Sequence, residues 1–79
     1  MEYAVSRIHE GVDIVSFLAE TGIFSSKGEA RKMVQGGGVS INRKKAEGIE
    51  LKIETSLLLH NKYLLVQKGK KNYYLVQVI

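Results

Sequence analysis

The last eighteen residues, KYLLVQKGKKNYYLVQVI, constrain the fold more than any other stretch. Two arms rich in Tyr, Leu and Val flank Gly69 and Lys70. That is the composition of a pleated, half-buried surface folded back through a tight turn. The pattern predicts a C-terminal β-hairpin. Upstream, the apolar residues recur with a helical period instead. Asp13 precedes IVSFLAE and Gly22 follows it, which predicts a short helix with an N-cap and a glycine stop. Ile14, Phe17 and Leu18 fall on its apolar face, opposite Asp13, Ser16 and Glu20. Ser26 followed by Glu29 fits a capping box and opens a second helix running to about Gln35, with Ala30, Met33 and Val34 inward. Gly36 to Gly38 ends it, because glycine tolerates the left-handed conformation of a helix C-cap. Val39 and Ile41 then alternate with Ser40 into a turn at Asn42 and Arg43, and Ile49, Leu51 and Ile53 repeat at period two. The expected fold class is α+β: two short N-terminal helices packed on a small antiparallel sheet that ends in the hairpin.

At 79 residues the chain is one domain, and a domain this small buries about 60–65% of its unfolded surface. Its expected stability is a few kcal/mol, which leaves little room for unfavourable features without a use. Residues 11–79 form the expected domain and residues 1–10 an expected flexible lead. With no cysteine there is no disulfide, thiolate metal site or thiol nucleophile. The longest apolar runs are strand-sized, and Glu2 stands where a signal peptide has its basic region. A cytoplasmic location without membrane contact is expected.

Net charge is only +4, but its distribution is uneven. Residues 1–24 carry one base and four acids, and residues 25–45 carry six bases and one acid. Residues 46–61 carry one base and three acids, and residues 62–79 four bases and no acid. In the second helix Lys27, Arg31 and Gln35 line one exposed stripe, with Lys32 farther round. Lys27 sits in the first turn, where the helix dipole disfavours a cation by about 0.3–1 kcal/mol. Lys27 and Arg31 repel each other as an i,i+4 pair, by roughly 0.2–0.5 kcal/mol. Glu29 is placed to pair with Lys32, whereas the other two have no partner in the helix. Two local penalties on one stripe point to a polyanionic ligand. Asn42, Arg43, Lys44 and Lys45 follow the short strand, and the glycines between leave space for a phosphate to reach backbone N–H groups. A second cluster, Lys68, Lys70 and Lys71, falls at the hairpin tip beside Tyr73 and Tyr74, which alternation points to opposite faces. At least one of these rings is expected in the core; the tip lysines read first as edge protection against aggregation, and stacking of the other ring on an unpaired base is the lesser reading.

Catalytic patterns are missing. The glycine triplet has neither the later glycine of a dinucleotide fingerprint nor the Gly-Lys-Ser/Thr end of a phosphate loop. His9 and His60 have no metal-ligand spacing, and no serine lies in a nucleophile elbow. Glu47, Glu50 and Glu54 are expected on the wet side of a strand.

The stretch SSKGEARKMVQGGGVSIN resembles the helix-turn-strand signature of the small-ribosomal-subunit S-four type of RNA-binding domain over Ser26 to Asn42. EGVDIVSFLAETGIF and KGKKNYYLVQV, taken with it in that order, resemble the C-terminal domain of bacterial tyrosyl-tRNA synthetases over roughly residues 10–79. The resemblance implies a tRNA-binding appendage of an enzyme that ligates tyrosine to its tRNA with ATP, holding that tRNA near the anticodon stem and the long variable arm. It further implies a catalytic domain N-terminal to this piece, a parent that can be a homodimer, and no cofactor here. ATP and tyrosine would be bound by the parent's catalytic domain, whose His-x-Gly-His and Lys-Met-Ser-Lys-Ser signatures do not occur in this chain. Carried over by position, Ser26, Lys27, Arg31, Lys32, Gly38 and Asn42 would face the RNA. Two positions depart from the pattern. Gly28 replaces a larger polar residue at about 1 kcal/mol of helix propensity relative to alanine, and Arg43 stands where glycine is common. A stand-alone ribosomal-RNA binder of the same fold, and a protein-docking module that uses the C-terminal hairpin, are the alternatives.

Overall fold

The hairpin forms as the pattern predicts and supplies the centre of the sheet. In the computed structural model, which describes residues 1–79, β6 (Tyr63–Lys68) and β7 (Asn72–Val78) pair antiparallel in a register that sets Val66 opposite Tyr74. β3 (Val39–Ile41) joins the other side of β6, and β4 (Lys44–Lys45) closes that edge. Leu64, Val66, Val76 and Val78 alternate onto one face, where they are buried together with Val39 and Ile41. The helices cover that face. α2 (Ile14–Glu20) buries Ile14, Val15, Phe17 and Leu18, and α3 (Lys27–Gln35) buries Ala30 and Val34. Both caps are made by the expected side chains: Asp13 accepts from the Ser16 N–H, and Ser26 accepts from the Glu29 N–H.

The first ten residues, read as a loose lead, carry regular structure. β1 (Glu2–Tyr3) pairs parallel with β7, so the five-stranded sheet, in the order β1-β7-β6-β3-β4, is mixed rather than purely antiparallel. α1 (Val5–Glu10) follows and buries Ile8. The Tyr3 ring packs edge-on against Phe17 at 4.9 Å between centroids. Its hydroxyl donates to Glu20, a carboxylate that also takes two bonds from the Arg7 guanidinium. Burial, then the bond to Glu20, pushes the Tyr3 hydroxyl up to about 12. These anchors have no periodicity to betray them, because a two-residue strand shows none.

The alternation at Ile49, Leu51 and Ile53 yields less strand than expected. Only β5 (Lys52–Ile53) is extended, paired antiparallel with β2 (Val12–Asp13) in a separate two-stranded sheet. A turn in which the Leu51 N–H donates to the Gly48 carbonyl at 3.2 Å breaks the run before it. Ile49 and Leu51 still pack against the core from that loop. Glu47, Glu50 and Glu54 line a hollow there with Val34, Gln35 and Lys52 rather than the wet side of a strand. No group of three or more His, Cys, Asp or Glu side chains is placed to hold a metal ion. No helix is long and apolar enough to cross a membrane.

Candidate nucleic-acid interface

The glycine triplet organises the basic residues, though not by offering its amides to an anion. The Gly36, Gly37 and Gly38 N–H groups all donate into the end of α3, to the carbonyls of Lys32, Val34 and Met33 at 2.9, 3.1 and 2.8 Å. Gly37 takes the left-handed conformation, with φ at 76°, the geometry that satisfies the last helical carbonyls. The triplet is therefore a helix C-cap whose donors are occupied, which corrects the sequence-based picture of free amides for a phosphate. Space over it is also filled. A methyl group on Gly37 would sit 2.7 Å from the Lys45 Cε, and one on Gly38 2.7 Å from the Met33 Cε. The Lys45 ammonium thus rests over the negative end of the helix dipole, a favourable position for a cation.

The same corner joins the two basic blocks. The Gly69 N–H, in the hairpin turn, donates to the Gly38 carbonyl at 2.7 Å, and Lys68 pairs with Val39 across the β3–β6 ladder. The exposed stripe Lys27, Arg31, Gln35 runs along α3 toward this corner. Lys45 lies across it, and Lys70 and Lys71 stand exposed at the turn tied to it. Arg43 and Lys44 lie at the opposite end of β3, three residues or about 10 Å along the strand. Lys45 thus brings the basic run after β3 to the end of the helix stripe, while Arg43 and Lys44 mark the far end of the same edge.

None of these cations is neutralised. The only ion pairs in the molecule are Arg7–Glu10 and Arg7–Glu20. Glu29, expected to pair with Lys32, accepts instead from the Ser25 hydroxyl at 2.7 Å and leaves Lys32 free. Lys27 interacts with Glu20 only at longer range, helping to hold that carboxyl below its usual range after the larger effect of the Arg7 bonds.

Four residues expected at the RNA face have structural engagements. Lys68 lies on the core side of β6, where its Nζ donates to the Ile23 carbonyl at 3.0 Å and sits 4.6 Å from the Phe24 ring centroid. The Ser26 oxygen caps α3. Gly38 is bonded through both its N–H and its carbonyl. Asn42 and Arg43 form a two-residue turn with φ of 52° and 71°, the primed geometry that matches strand twist. The Asn42 side chain bridges segments: its Nδ2 donates to the Leu57 carbonyl at 2.5 Å, and its Oδ1 accepts from the Leu65 N–H at 3.0 Å. Lys45, in the sequence only the last member of the basic run after the short strand, lies against the corner itself. Its position follows from a register visible only once β3 and β4 are paired.

Comparison with known proteins places this geometry in context. Residues 3–76 match the family described as the tyrosine–tRNA ligase SYY-like C-terminal domain. A tyrosine–tRNA ligase of Bacteroides fragilis is 51% identical over 78 residues, covering 95% of this chain and 18% of that protein. One from Cytophaga hutchinsonii is 59% identical over 66 residues, or 84% of this chain and 15% of its own length. One from Flavobacterium johnsoniae is 38% identical over 79 residues, 99% of this chain and 18% of its own. The chain thus spans less than a fifth of the relatives it matches.

Proposed function

This chain belongs to the family of tyrosine–tRNA ligase C-terminal domains, and from that premise we propose that it binds tyrosine tRNA for a parent enzyme that joins tyrosine to that tRNA with ATP. The observation that carries the reading is the edge of unpaired cations running from Lys27 along α3, past the glycine corner with Lys45, to Lys70 and Lys71. Such side chains neutralise phosphates and fix register, and sequence is not read by them alone. Gln35 contributes a neutral donor on the same stripe, and Arg43 with Lys44 reaches a second stretch of backbone. The anticodon stem and the long variable arm offer two phosphate ridges for the two ends of this edge. Ligation, with its ATP and tyrosine, belongs to a catalytic domain of the parent, in the cytoplasm. This domain supplies grip and needs no cofactor. Family membership favours this appendage over a stand-alone binder of ribosomal RNA.

The test is a salt series of binding constants for the chain with tyrosine tRNA, a tRNA with a short variable arm, and duplex DNA. Tyrosine tRNA binds best, with a steep slope, and Lys27→Ala/Arg31→Ala lowers that slope by about 0.7–0.9 log unit for each phosphate no longer neutralised. An unaltered slope in the double variant refutes the assignment of these residues. Absence of tRNA binding at low salt refutes the reading as a whole.

A further inference from the structure

The helices cover one face of the five-stranded sheet, and the other face is bare. Alternation along β6 and β7 puts Tyr63, Leu65 and Gln67 with Tyr73, Leu75 and Gln77 on the bare side. Tyr73 and Leu75 are 56% and 54% exposed, whereas Tyr74 faces the helices and packs against the core. The ladder aligns four of the outward residues in one row across four strands: Tyr73 opposite Gln67, Gln67 opposite Ser40, and Ser40 opposite Lys45. At 4.7–4.9 Å per strand the row is about 14 Å long. It runs from an aromatic ring through an amide and a hydroxyl to an ammonium.

We propose that the row Tyr73–Gln67–Ser40–Lys45 is a platform for unpaired nucleotides of the bound RNA. The proposal rests on the tRNA-binding reading and adds a second mode of contact to it. A base stacks on the exposed Tyr73 ring, since every base has a π-face. Gln67, whose Nε2 donates to the Lys70 carbonyl at 3.4 Å, offers its Oε1 together with the Ser40 hydroxyl to base edges or sugar hydroxyls, and Lys45 meets a phosphate. The charge around the face selects this occupant. Lys45, Lys70 and Lys71 border it at the hairpin-turn end, and Glu2 lies opposite Gln77 at the far end. A centre of Tyr73, Leu65 and Leu75 with cations along one border complements a single strand of RNA, which presents bases and phosphates side by side.

Tyr73→Ala and Tyr73→Phe separate stacking from charge. Affinities are measured for a tyrosine tRNA transcript and for a blunt RNA duplex without unpaired bases, each over a salt series, with thermal melts to confirm folding. Tyr73→Ala weakens tRNA binding about 10-fold or more while the salt slope and duplex binding stay as in the wild type, because stacking releases no counterions. Tyr73→Phe retains the ring and stays within about twofold of wild type. Wild-type tRNA affinity in a folded Tyr73→Ala chain overturns the platform and leaves the face to a protein partner, with the phosphate edge untouched. An equal loss of duplex and tRNA binding also overturns it. Failure of the wild-type chain itself to bind tRNA removes instead the reading on which the platform rests.

Discussion

Asn42 lies on the segment that resembles an RNA-facing motif, yet its side chain is engaged inside the protein, and Asn42→Ala separates the two roles. The substitution deletes the bonds to the Leu57 carbonyl and from the Leu65 N–H. Each is half-buried and contributes about 1 kcal/mol net. It also leaves a β-carbon without local compensation at a φ of 52°, for about 1 kcal/mol more. The sum is about 3 kcal/mol, a large share of what a domain of this size has. Urea melts followed by far-UV circular dichroism should show that loss with an unchanged m-value. The thermal midpoint should fall by about 12–24 °C. Asn42→Gly removes the same bonds but is at ease at positive φ, so it should lose only about 2 kcal/mol. A loss below about 1 kcal/mol in Asn42→Ala, or a glycine variant weaker than the alanine one, refutes the reasoning. Under conditions where Asn42→Ala remains folded, its tRNA affinity should equal that of the wild type.

Two further outcomes follow from the same geometry. Arg43→Gly relieves a left-handed arginine at φ 71° and should stabilise the fold by about 0.5–1 kcal/mol after the added freedom of the unfolded chain is counted; the thermal midpoint checks it, and the lost cation should weaken tRNA binding. The Glu20 carboxyl is held below the usual range by Arg7, so its contribution is present above the unfolded carboxylate range and is lost as pH falls through the lower folded value. The pair is partly exposed and contributes less than about 1 kcal/mol, so Glu20→Gln should give a slightly less stable chain with a shallower acid limb in a pH series of urea melts.

Much of this was legible in the sequence because local chemistry and tertiary structure agree there. Asp13 and Ser26 cap the helices that their spacing announces, and the C-terminal arms pair as their composition requires. What escaped was decided by partners far along the chain. Tyr3 gains meaning only against β7 and α2, and the Ile49–Ile53 alternation is cut by a turn at Gly48. At the site, helical spacing located the stripe of Lys27 and Arg31 correctly on an exposed surface. Lys68 could not be told from Lys70 by charge. It is the strand's phase, with Leu64 and Val66 inward, that turns Lys68 toward Phe24. The glycines likewise pointed to an open anion site, whereas their N–H groups complete the helix.

The bond between the Gly69 N–H and the Gly38 carbonyl has a thermodynamic consequence for recognition. Because it ties the hairpin turn to the end of α3, the spacing between the two positive blocks is established during folding. An arriving polyanion meets a charge pattern already laid out, and the entropy lost on capture is confined to long side chains, at most about 2 kcal/mol for each lysine or arginine. Association should then be fast and steered by the field of the whole edge. Heating should abolish grip and fold in a single transition, because no separate ordering step stands between them.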